Sequence, residues 1–145
     1  MPLAEELATA EQYLSLELIR FEDRLRVDRE IDPAALNCLV PPLALQTLVE
    51  NAVKYGVSRE TEGSVIRITA RVSDGVAEVS VRNTGTLADS AAGGSTGLGL
   101  TNLRTRLRLL FGERATLELH TVEPGWVEAR LRVPVTTTAL DQPAA

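Results

Sequence analysis

The sequence predicts an α/β fold: a two-layer sandwich with helices on one face of a mixed, mostly antiparallel sheet. Three observations predict it. Residues 3–20, 43–55 and 98–111 carry apolar side chains at helical spacing. Residues 65–72 and 76–81 are β-rich runs joined by Ser73-Asp74-Gly75, a strong hairpin signal. Residues 115–121 and 126–133 form a second such pair, turning at Glu123-Pro124-Gly125.

The elements follow in order. In the first helix Leu3, Leu7, Ala10, Leu14 and Leu18 share a face, with Glu residues between them. It starts abruptly and reads either as the end of a longer helix entering from outside or as an ordinary first helix. Residues 25–31 alternate as a strand, with Leu25, Val27 and Ile31 inward and Arg29 the one polar residue on that side. Asp32-Pro33 opens a short turn or helix, and Val40-Pro41-Pro42 interrupts the chain. The helix at 43–55 is the clearest, with Leu45, Leu48, Val49, Ala52 and Val53 on one face and Gly56 as its stop. Residues 83–97 are rich in Gly, Ala, Ser and Thr and read as a mobile loop. In the last helix Leu100, Leu103, Leu107 and Leu110 are in register, and Gly112 ends it. The tail from Pro134 is expected to be disordered. No internal repeat is present.

Composition narrows the function. The chain has 145 residues, enough for one domain with a single core. Its net charge is −5, and Arg104, Arg106 and Arg108 do not form one helical stripe, so nucleic-acid binding is not expected. The single cysteine, Cys38, lies in an apolar stretch and reads as a small buried hydrophobe. No signal peptide or membrane span is evident, and a cytoplasmic setting without membrane contact is expected. Aromatic residues are only 3%, so the core must come from Leu, Val, Ile and Ala, and an aromatic beside a motif stands out.

Two segments carry chemistry. On the helix at 43–55, Thr47, Glu50, Asn51 and Lys54 lie within one arc away from the apolar face. A carboxylate, an amide and an amine in one patch can polarise a water, hold a hard cation and neutralise a phosphate. A solvated polar face with a Glu50–Lys54 pair would read the same way. The second segment is Gly97-Leu98-Gly99-Leu100, just before the last helix. Glycines there let backbone N–H groups approach phosphate oxygens, though a plain linker and cap would also fit. Neither a Walker loop nor a Rossmann fingerprint matches.

In this order the segments resemble a known family. Pro41-Pro42-Leu43-Ala44-Leu45-Gln46-Thr47-Leu48-Val49-Glu50-Asn51-Ala52-Val53-Lys54-Tyr55-Gly56 is similar to the N box of LytS-like sensor histidine kinases. Thr96-Gly97-Leu98-Gly99-Leu100-Thr101-Asn102-Leu103-Arg104 resembles their second glycine box, continuing into Arg106-Leu107 and Phe111-Gly112. Arg20-Phe21-Glu22-Asp23-Arg24-Leu25 resembles their lead-in, and the likeness covers roughly residues 10–134.

The resemblance implies a Bergerat-type ATP-binding catalytic domain at 23–135. It also implies that residues 1–22 end a linker helix from a dimerisation region, and that 136–145 are a disordered tail. Its cofactors would be ATP and Mg2+. Asn51 would hold magnesium, Glu50 would orient or polarise the attacking group, and Lys54 would contact phosphate. The Tyr55 ring would pack beside adenine. Gly97, Leu98, Gly99 and Leu100 would belong to the phosphate-facing box, below a lid at 84–96. Asn83 and Gly85 match the first glycine box, but Asn83 stands where the family has Asp and Leu87 where it has a second Gly. The Asn oxygen can accept the adenine amino hydrogen bond without a charge. A Thr that the family often carries on the last strand is matched by Val127.

The partners implied are a dimerisation and phosphoacceptor domain and a response regulator. The single histidine, His120, lies on an expected strand and is not the expected phosphoacceptor, so the chain would supply only the donor half of the reaction. Two other readings stay open: a degenerate nucleotide-binding or interaction module, and an anti-sigma-factor-type serine kinase. The Pro-Pro pair and the Arg-Phe-Glu-Asp-Arg-Leu lead-in argue against the latter.

Overall fold

A computed structural model describes residues 1–55, 64–85, 96–123 and 125–135. Helix α1 (Leu3–Phe21) leads through a 3-10 turn into strand β1 (Leu25–Ile31). A second 3-10 turn (Pro33–Ala35), capped by the Asp32 side chain, precedes helix α2 (Ala44–Tyr55). Strands β2 (Ser64–Ser73) and β3 (Val76–Thr84) follow, then helix α3 (Thr96–Phe111) and strands β4 (Thr116–Glu123) and β5 (Trp126–Pro134). The sheet order is β1-β2-β3-β5-β4. Strands β1 and β2 pair in parallel across α2, and every other pairing is antiparallel.

The expected α/β sandwich is the observed one. Alternation puts Ile66, Ile68 and Ala70 of β2, Val79 and Val81 of β3, and Leu131 and Val133 of β5 on the inner face. Leu45, Leu48, Val49 and Ala52 of α2 and Leu100, Leu103 and Leu107 of α3 close over them. Leu3, Ala10, Leu14 and Phe21 of α1 join the same core, and Cys38 is buried in it. The Asp74-Gly75 turn has φ of 52 and 77, the pair of positive values that a type I′ hairpin needs.

Several boundaries move. Asn83 and Thr84 belong to β3 rather than to a loop, because β3 pairs with β5 as far as Thr84↔Trp126. Thr96 and Gly97 are already helical, so the Gly97–Leu100 box lies within the first turns of α3 rather than before it. Residues 86–95 of the expected loop and lid, and 136–145 of the expected tail, lie outside the described residues; Pro134, expected to open the disordered tail, instead ends β5 opposite Val76, and Val135 donates its N–H to the Gly75 carbonyl at 2.8 Å and packs against the core. On α1, Leu7 and Leu18 are only half-buried, while Glu6, expected to face away, is fully buried. Arg29 is accommodated on its strand's apolar side because its guanidinium meets both carboxylate oxygens of Glu11 on α1.

The helix-free face of the sheet is a lattice of paired charges. Glu128 is 1% exposed and accepts from Arg82 (2.6 Å), with Arg130 (2.6 Å) and His120 (3.1 Å) beside it. Arg132 and Arg71 flank Glu78 at 2.8 and 2.9 Å. Burial works to raise both carboxyls, but the arginine hydrogen bonds and charges outweigh it and hold them below the ordinary carboxylate range. A groove of about 510 Å³ on this face is lined by Arg71, Glu78, Arg82, Glu128 and Arg130 of this lattice, together with Arg67 and Glu30.

Candidate functional site

The chain connections gather the candidate residues at one end of the sandwich. Because α2 is the crossover between two parallel strands, it runs opposite to them, and its last turns lie near the start of β2. The start of β2 pairs with the end of β3, where Ile66 stands opposite Asn83. The segment that returns to α3 begins just beyond, after Gly85. Glu50, Asn51 and Lys54 thus share an end of the molecule with Asn83 and Gly85.

Asn51 is the telling residue. It is only 8% exposed, and its Oδ1 has no hydrogen-bond partner among the described residues. Leaving a buried carbonyl oxygen unpaired costs about 1–3 kcal/mol, so such an atom calls for an explanation. A magnesium ion held largely by nucleotide phosphates needs only one or two protein oxygens. The orphaned oxygen fits that need. Among the described residues no group of three or more His, Cys, Asp or Glu side chains could hold a metal.

Glu50 is exposed, and its Oε1 accepts a hydrogen bond from Gln46 Nε2 at 2.8 Å. Lys54 is exposed in the last turn of α2. Tyr55 closes α2, and Gly97 and Leu98 lie in the first turn of α3; what was expected of their contacts lies outside the described residues. Leu100 is buried under α2, a core role rather than a ligand-facing one. Gly99 lies where α3 meets α2: a Cβ there would be 3.7 Å from Thr47 Cγ2. The Thr47 hydroxyl is turned back to the Leu43 carbonyl at 2.8 Å, which presents its methyl to α3.

Asn83 is 3% exposed on the inner face of β3. Its Nδ2 donates to the Thr84 carbonyl at 3.0 Å, so its oxygen is the end available as an acceptor. Val127 stands directly opposite in register and is buried, so no hydroxyl is supplied there. Gly85 has φ 146 and donates its N–H to the Gly125 carbonyl at 2.9 Å, tying the end of β3 to the β4–β5 turn. Thr84 and Ser64 share a 2.7 Å hydroxyl contact that pins the strand ends together.

Two α1 residues beside the site escaped the sequence reading. Tyr13 is half-buried, and burial pushes its hydroxyl up to about 12, with the charges of Glu17 and Glu50 adding to the shift. Glu17 Oε2 is itself buried without a hydrogen-bond partner among the described residues, and Arg20 is 3.7 Å away. Helical spacing from Leu14 and Phe21 puts both on the flank of the apolar face, which was the signal available.

With this geometry in place, comparison with known proteins is informative. No family model matches the chain. The sensor histidine kinase YesM of Bacillus subtilis is 36% identical over 121 residues, 81% of this chain and 21% of YesM. The sensor protein LytS of Staphylococcus saprophyticus is 36% identical over 136 residues, 85% of this chain and 23% of LytS. The chain therefore spans between a fifth and a quarter of the length of these relatives.

Among solved structures, a nucleotide-free catalytic domain of the histidine kinase ThkA superposes with a TM-score of 0.71 at 18% identity, covering 94% of this chain and 96% of that one. Full-length ShkA in complex with AMPPNP gives 0.67 at 20%, covering 96% and 32%. ThkA in complex with the response regulator TrrA gives 0.66 at 17%, covering 94% and 41%. These likenesses establish the fold, and the sequence relatives supply the lineage. The chain belongs to the LytS- and YesM-like sensor histidine kinases and has the fold of a histidine kinase catalytic domain.

Proposed function

We propose that this chain binds Mg-ATP at the C-terminal half of α2 and donates the γ-phosphate to a histidine on a dimerisation region of the parent kinase. The observation that carries the reading is the buried, unpartnered Oδ1 of Asn51 on a helix similar to the N box. The relatives are sensor histidine kinases, and one structural neighbour was crystallised with AMPPNP, which supports the reading by analogy.

Each residue then has a task. Asn51 Oδ1 would hold the ion, and magnesium when bound would neutralise phosphate charge. Lys54 would hold a phosphate oxygen. Glu50, its Oε1 already oriented by Gln46, would orient or polarise the attacking group. Asn83 would accept from the adenine amino group through its oxygen, and the Tyr55 ring would pack beside the base. Gly85, Gly97, Leu98 and Gly99 would shape the segment that approaches the phosphates, and Leu100 anchors that segment in the core. The catalytic work is positioning and charge neutralisation rather than covalent chemistry by the protein. A response regulator is the downstream partner proposed, by analogy with the ThkA–TrrA complex.

The test is phosphotransfer. The chain, ATP and magnesium are incubated with the dimerisation region of a LytS-like kinase. Acid-labile label on that region, lost in Asn51→Ala, supports the reading. Nucleotide binding with no transfer would instead favour a module that binds without catalysing, and acid-stable label would favour a serine kinase.

A further inference from the structure

Helix α2 has no capping side chain of its own. The residue before it, Leu43, has no side-chain oxygen, and its backbone has φ 66, a left-handed value that is strained for Leu. The first N–H groups of any helix lack acceptors within the helix. Here the Ala44 N–H donates to the Pro41 carbonyl at 3.0 Å, and the N–H groups on either side of it are supplied from α1. Glu6 Oε2 accepts from the Leu43 N–H at 3.0 Å and Oε1 from the Leu45 N–H at 3.1 Å. Glu6 is 0% exposed, and no Lys or Arg lies within ion-pair distance among the described residues. A buried carboxylate so placed depends on its N–H partners and on the positive end of α2.

The same joint is gripped from the other side. Arg106 of α3 donates Nη1 to the carbonyl of Pro42. Residues 42–45 are therefore held by α1 through Glu6 and by α3 through Arg106. A carboxylate with both oxygens engaged, on residues two apart, fixes both the axial position and the rotation of α2. Asn51 lies six residues beyond Leu45, about 9 Å along the axis at 1.5 Å per residue. Its oxygen moves with whatever the joint allows.

We propose that Glu6 is a positioning residue for the nucleotide site, with Arg106 as its counterpart: together they set the register of α2, and so the place where Asn51 presents its oxygen to the magnesium of a bound nucleotide. This rests on the nucleotide reading above. Glu6 is outside the residues that would touch the nucleotide, and its effect runs through α2.

The test uses this chain with a non-hydrolysable ATP analogue, titrated with and without magnesium. The readout is the ratio of the two affinities, in the wild type, Glu6→Gln and Arg106→Met. Gln keeps the size of Glu but turns an NH2 donor toward an N–H donor. The expected result is that Glu6→Gln loses about tenfold of the magnesium enhancement, equivalent to one charged hydrogen bond, while magnesium-free affinity changes less than about twofold. Arg106→Met, at a half-buried position, should lose about threefold in the same ratio. It decides the matter alone if Glu6→Gln does not fold. An unchanged ratio in the folded variants, or a parallel fall in both affinities as a purely structural cap would give, overturns the inference and leaves the nucleotide reading standing. A wild type with no magnesium-dependent binding overturns both.

Discussion

Thr47 on α2 faces Gly99 on α3 where the two candidate segments meet: a methyl added at Gly99 would lie 3.7 Å from Thr47 Cγ2. That is ordinary van der Waals contact, so the packing does not require glycine at this position. Alanine in place of glycine inside a helix contributes about 0.5–1 kcal/mol. Gly99→Ala should therefore raise the unfolding midpoint while weakening nucleotide binding, if the glycine serves the approach of backbone to phosphate. Thermal unfolding and titration on the same sample check it. A stabilised variant with full affinity would remove Gly99 from the site.

Asn83→Asp should trade stability for affinity. The added charge would strengthen an adenine hydrogen bond by about 1 kcal/mol, roughly fivefold in affinity. Without nucleotide, the same carboxylate would be buried opposite Val127 and Ile66, which lowers stability. Chemical denaturation of the free protein and titration with an ATP analogue read the two effects separately.

The charge lattice on the open face sets the acid limit. Glu78 and Glu128 are held below the ordinary carboxylate value in the folded chain. The stability they contribute is present above their unfolded value of about 4.3 and is lost as pH falls through the folded values. Glu128→Gln should cost about 1–3 kcal/mol at neutral pH, because Arg82 and Arg130 lose the carboxylate between them. It should also flatten the acid side of the stability profile, measured by denaturant titration at stepped pH.

Tyr13 sets an alkaline limit. Its folded value is raised to about 12 from 10.0, so the stability it contributes is present below pH 10 and is lost as pH rises toward 12. Subtracting the profile of Tyr13→Phe from that of the wild type isolates this step. A difference that stays flat between pH 10 and 12 would mean that Tyr13 does not sit in the desolvated, acid-flanked position described.

Local patterns were legible because each rests on neighbours in sequence. The α2 stripe of Leu45, Leu48, Val49 and Ala52 and the Asp74-Gly75 hairpin needed nothing from elsewhere in the chain. Long-range partners were not legible in this way. Glu6 sits at the core spacing of Leu3 and Ala10, yet its acceptor role depends on N–H groups 37 and 39 residues away. Arg29 broke an apolar alternation because Glu11, eighteen residues earlier, faces it across the layers. The Gly- and Thr-rich surroundings of Asn83 point to a loop, whereas β5 on one side and β2 on the other hold it in the sheet. At the site, Asn51 was legible by motif, but only the structure reveals that its oxygen is buried and unpaired.

Calorimetric titration of the chain with a non-hydrolysable ATP analogue, with and without magnesium, in the wild type and Asn51→Ala, tests the central claim most directly. The account predicts binding that magnesium strengthens in the wild type and that loses this enhancement in Asn51→Ala. Magnesium-dependent binding that survives unchanged in a folded Asn51→Ala, or no binding by the folded wild type, would contradict it.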